Sequence, residues 1–117
     1  MKSNSDNKPK VFLSLGDGNY HYNYNIKEVE TTDDDNPRII YEYDTVLLNG
    51  KPTYDKCVRA ILRDLLDENE EFSLINKYNS FVLGLSEDEE YRTKYEDYIR
   101  KTTAIKKMVR ADIQLFE

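Results

Sequence analysis

Apolar and polar positions along this chain follow a two-residue period in the first half and a helical period in the second. Val11 to Leu15 is a short apolar run that predicts a strand, and Gly16-Asp17-Gly18-Asn19 supplies turn residues that tolerate positive φ. Tyr20 to Val29 alternates tyrosine with His21, Asn23 and Asn25, which predicts a strand with one aromatic and one polar face. The tight turn between these two segments predicts a hairpin. Glu30 to Pro37 (ETTDDDNP) is acidic and rich in breakers, so it reads as a solvated loop. Arg38 to Leu48 resumes the alternation, with Ile39, Tyr41, Tyr43 and Leu47 on one face and Val46 and Leu48 on the other. The turn Asn49-Gly50-Lys51-Pro52 ends the β region.

From Thr53 the period becomes helical. Thr53 is placed to cap a helix whose apolar positions are Cys57, Val58, Ile61, Leu62, Leu65 and Leu66. A second helix is expected from about Glu70 to Leu83, with Phe72, Ile75, Tyr78 and Val82 inward and Gly84 as its stop. Ser86 and Glu89 form a capping-box pattern for a third helix running to Ile113. Glu90 with Lys94, Glu96 with Arg100 and Asp97 with Lys101 support it as i,i+4 pairs. Its apolar line, Tyr91, Tyr95, Tyr98, Thr102, Ile105, Val109, Ile113 and Phe116, steps by four and three like a heptad seam. At about 1.5 Å per residue such a helix is longer than a small domain is wide, so part of it should protrude and need a partner.

These elements predict an α+β fold, a small antiparallel β-sheet of about three strands packed on two or three α-helices, the last one long. Residues 1–10 are polar and are expected to form a flexible N-terminal segment. Residues 11–117 are expected to form one domain, with the β region at 11–48 and the helical region at 53–115.

Charge narrows the function classes. Charged residues make up 34% of the chain and the net charge is −6, which argues against duplex nucleic acid and against anionic membranes as partners. No apolar run reaches the roughly 18 residues of a membrane span. The polar start MKSNSDNKPK lacks a signal-peptide core, and a single cysteine makes no internal disulfide, so a soluble protein made in the cytoplasm is expected.

Candidate chemistry is sparse. Asp33-Asp34-Asp35-Asn36 lacks the spacing of a calcium loop and reads as solvated acid. His21 has no nucleophile marked near it in sequence, and Cys57 falls within an apolar stripe as a small hydrophobe. Leu15 to Asn19 precedes a strand, where a phosphate loop would precede a helix. No catalytic, metal or cofactor residue is therefore assigned, and a non-enzymatic protein is expected. The ten tyrosines are the exception, since an amphipathic ring suits a surface shared with a partner. The candidate partner-binding residues are Tyr20, Tyr22, Tyr24, Tyr41 and Tyr43 on the strands, with Tyr95, Tyr98, Ile105 and Val109 on the long helix.

From Arg38 onward the residue order resembles a known group. Tyr41-Glu42-Tyr43-Asp44-x-Val46-x-Leu48 leads into Pro52-Thr53-Tyr54-x-x-Cys57-Val58-x-Ala60-Ile61-Leu62-Arg63, and Glu90-Tyr91 and Tyr95-Glu96-Asp97 follow. This resembles small structural or assembly proteins of gut Bacteroidales phages and prophages, including the crAss-like group. The likeness covers about two-thirds of the chain. It implies a virion structural or assembly protein made in the bacterial host cytoplasm, binding other phage structural proteins as a homo- or hetero-oligomer. The alternative is a small cytoplasmic regulatory protein that binds a host factor.

Overall fold

The structure, a computed structural model, describes residues 1–116. It is an α+β arrangement of four antiparallel strands and three helices. The strands are β1 (Lys2–Ser5), β2 (Phe12–Ser14), β3 (Tyr20–Asp33) and β4 (Asn36–Leu48), in the spatial order β1-β4-β3-β2. That is a Greek-key order, with β2, β3 and β4 joined by hairpins and β1 returned to the far edge beside β4. Residues 1–10, expected to be loose, thus supply a fourth strand. Ser3 pairs with Tyr43 and Ser5 with Tyr41, because an exposed β4 edge offers partners to any extended chain beside it.

The acidic run Glu30 to Pro37 is not a loop. β3 and β4 stay paired through Thr32 with Pro37 and Asp33 with Asn36, and only Asp34 and Asp35 lie between the strands. Both have positive φ, 48° and 64°, the backbone of a two-residue type I′ turn. Aspartate tolerates that conformation, so the breakers close a hairpin. Closer to the sheet, a bulge falls between Tyr24 and Lys27, where Asn25 also has positive φ and its amide donates to Asp44 Oδ2 at 3.0 Å.

The helices are α1 (Tyr54–Leu65), α2 (Glu68–Val82) and α3 (Glu89–Phe116). Thr53 caps α1 as expected, its side chain accepting from the Lys56 N–H. Gly84, with φ 77°, follows α2. The Ser86–Glu89 box does not form. Ser86 Oγ accepts from the Asp88 N–H and Asp88 Oδ1 from the Glu90 N–H, so α3 begins at Glu89. All three expected i,i+4 ion pairs on α3 are present, at 2.9, 3.7 and 3.1 Å.

One core lies between the sheet and the helices. Tyr22, Tyr24, Val46 and Leu48 meet Cys57, Val58 and Ile61 of α1 and Val109 and Ile113 of α3. Tyr20 and Phe12 extend it towards Phe116, whose ring lies 5.0 Å from Phe12 and 6.1 Å edge-on from Tyr20. α3 is about 42 Å long at 1.5 Å per residue, longer than that core, and its N-terminal half leaves the sheet. There α2 covers it. Tyr78 stacks on Tyr95 at 4.0 Å, and Glu71 accepts from the Tyr98 hydroxyl while pairing with Arg63 of α1 at 3.0 Å. α2 itself buries no residue fully. Its inward line is Glu71, Leu74, Ile75 and Tyr78, whereas Phe72 and Val82, expected inside, are exposed. The protruding helix pair and β-hairpin give a radius of gyration of 18.2 Å, against about 13 Å for a compact chain of this length.

Candidate interaction surface

The alternation on β3 and β4 decides which tyrosines can meet a partner. Tyr20, Tyr22 and Tyr24 stand opposite Leu48, Val46 and Asp44, and so face the helices. Tyr22 is completely buried and Tyr24 nearly so. The Tyr22 hydroxyl donates to Asp112 near the end of α3, and burial, reinforced by that carboxylate, raises the phenol well above its ordinary range. Burial also lifts Tyr24 to about 12. These two rings are core and are withdrawn as partner residues, while Tyr20 is half-buried against Phe116.

The seam on α3 is likewise occupied from within. Val109 has 0% exposure and Ile105 packs against the core. Tyr95 stacks on Tyr78 with the Tyr98 ring tilted 6.1 Å from it, and Tyr98 holds Glu71. The Tyr98 hydrogen bond, with Arg63 beside it, draws the Glu71 carboxyl below its ordinary range. The heptad-like spacing is therefore satisfied by the sheet and α1 in one half and by α2 in the other. None of the four helix candidates offers a free apolar seam.

The opposite sheet face carries the remaining candidates. β2, β3 and β4 align Leu13, His21 and Leu47 in one cross-strand row turned away from the helices. Leu47 is 57% exposed and Leu13 and Leu15 are also exposed. Tyr43, Tyr41 and Ile39 follow along β4, the tyrosines half-buried and Ile39 54% exposed. The Tyr41 hydroxyl reaches Glu28 at 3.5 Å.

Between these two apolar stretches the face is covered. β1 and β2 lie on opposite edges, so residues 6–11 must cross the sheet. The Asn23 amide donates to the Lys10 carbonyl at 2.8 Å, which places the crossing on the face away from the helices. Asn23 and Thr45, a directly paired couple there, are buried as a result.

Leu13 and Leu15, not among the expected site residues, belong to this exposed face, and their alternation with Phe12 is the signal for it. Phe72 in the first turns of α2 and Val82 at its end are further exposed apolar side chains. Nothing in a helical period distinguishes them from core positions.

His21 sits half-buried in a row with two leucines. Cys57 is completely buried, and burial raises its thiol to about 12. Among the described residues, no group of three or more His, Cys, Asp or Glu side chains is placed to hold a metal ion. Among them, too, no helix is long and apolar enough to cross a membrane. Compared with known proteins, the chain matches no family model, no curated protein and no solved structure.

Proposed function

We propose that this chain is a non-enzymatic bacteriophage virion structural or assembly protein that binds other phage proteins through the sheet face turned away from its helices. The observation that carries the reading is the row Leu13–His21–Leu47 with, beyond the covered Asn23–Thr45 couple, Tyr43, Tyr41 and Ile39 on the same face. Leu13, Leu47 and Ile39 stand exposed on a hydrogen-bonded sheet, where exposure has a cost unless a partner covers them. The residue order from Arg38 onward supports the phage context. Tyr41 and Tyr43 keep their assignment as contact residues; the α3 seam does not, because it packs against the chain's own elements.

The test is quantitative mass spectrometry of purified particles and assembly intermediates. The chain should be present at a fixed copy number, and Leu47→Lys, a substitution at an exposed strand position, should lower its incorporation while leaving its circular dichroism unchanged. A chain absent from particles and intermediates but recovered with a host protein would instead favour a small cytoplasmic regulator.

A further inference from the structure

Two oppositely charged surfaces of similar length lie on different arms of the molecule. The first is the end of the β3–β4 hairpin. From the Lys27–Glu42 pair to the Asp33–Asn36 pair it runs about 20 Å at roughly 3.4 Å per step. β1 pairs only as far as Tyr41 and β2 only at Tyr20 to Tyr22, so this ribbon extends past both neighbours. Residues 27–42 hold six carboxylates against Lys27 and Arg38, a net charge of −4. Arg38 also bridges to Asp6 at 3.2 Å.

The second surface is the outward side of α3. Between Asp97 and Asp112 the sequence has no carboxylate and five cations, Arg100, Lys101, Lys106, Lys107 and Arg110. Lys106 and Lys107 are exposed, and among the described residues neither forms an ion pair. Arg110 lies over the Tyr54 ring at 5.5 Å and remains exposed. Between the cations stand Thr103, Ala104 and Ala111, exposed and small enough to let another backbone approach. Arg100 to Arg110 spans about 15 Å of helix, comparable with the ribbon.

We propose that the acidic hairpin of one copy docks along the basic outer face of α3 of a second copy, so that the chain assembles head to tail. Charge complementarity selects this occupant. Pairing of two hairpins through their β3 edges would set Glu28 and Glu30 against the same residues of the other copy, and like charges directly opposite are destabilising. A contact between two different patches is heterologous, so it leaves one hairpin and one helix face free and can repeat into a ring or filament. This goes beyond the function proposed above, and its test needs only the purified chain, so the two can fail separately.

The experiment is sedimentation velocity across a concentration series at about 50 mM and about 500 mM NaCl, over which the Debye length falls from roughly 14 Å to roughly 4 Å. Wild type should associate at low salt and weaken about tenfold or more at high salt. Lys106→Glu with Lys107→Glu, and separately Glu28→Lys with Glu30→Lys, should each give a folded monomer. Mixed together, the two variants should associate again, since the unaltered hairpin of one meets the unaltered helix face of the other. A wild type that stays monomeric at both salts overturns the proposal. So does association that strengthens with salt, association that survives either pair of reversals, or a mixture of the two variants that stays monomeric.

Discussion

Val109→Ala separates a core seam from an interface seam. Val109 is completely enclosed by α1 and the sheet, in contact with the cluster that includes Tyr22, Leu48, Ile61 and Cys57. Truncation removes about two buried methyl-sized groups, worth roughly 0.8 kcal/mol each in transfer. The cavity left among neighbours held by two helices and a sheet adds to this, for a total of about 2–3 kcal/mol. At roughly 3–6 °C per kcal/mol for a chain of this size, Tm should fall by about 6–18 °C. The assay is paired thermal and urea unfolding followed by far-UV circular dichroism and tyrosine emission, the chain having no tryptophan. Sedimentation on the same samples reports the oligomeric state. A loss of stability in the monomer is the expected outcome. An unchanged unfolding midpoint together with a smaller assembly would refute the placement of Val109 and restore the seam as an interface.

Tyr98→Phe removes the hydroxyl that donates to Glu71, a charged acceptor, and should weaken the docking of α2 by about 1.5–3 kcal/mol. Because α2 buries no residue fully, amide exchange should accelerate in α2 and the first half of α3 while the strands stay protected. The Glu71 carboxyl is drawn below its ordinary range, so its stabilising contribution is complete above the unfolded value of about 4.3 and is lost as pH falls through the depressed folded value. The stability difference between wild type and Glu71→Gln, read from urea midpoints, should accordingly shrink only on the acid side. Replacing Asp34-Asp35 by Asn-Gly, the pair preferred where both turn residues have positive φ, should raise the urea midpoint by about 0.5–1 kcal/mol in ΔG. A lowered midpoint would contradict the type I′ assignment.

Strand alternation was legible because its period fixes the face. Val46 and Leu48 lie opposite Tyr41, Tyr43 and Leu47, as the two-residue repeat requires. Thr53 as a cap and the three charge pairs on α3 were legible for similarly local reasons. What was not legible depended on which element arrives from elsewhere. The α3 seam has the spacing of a coiled coil whether another chain or α2 fills it, and the stack of Tyr78 on Tyr95 and the Tyr98–Glu71 hydrogen bond distinguish the two. The polar residues of β1 carry no strand signal, and their structure comes from the free edge of β4. The aspartates at the hairpin tip favour a turn, but nothing local fixes its length at two residues. The same ambiguity governed the tyrosines. Tyr20, Tyr22 and Tyr24 share a face with each other, yet the side that the helices cover is set by residues more than thirty positions away.

Hydroxyl-radical footprinting of the chain, free and within purified particles, compares the two kinds of surface most directly. In the free chain Leu13, Ile39 and Leu47 should react strongly and Ile105 and Val109 weakly. In particles Leu13, Ile39 and Leu47 should become protected while Ile105 and Val109 stay unchanged. If the three sheet residues keep their reactivity in particles, or if protection appears instead along the α3 seam, the sheet face is not the contact.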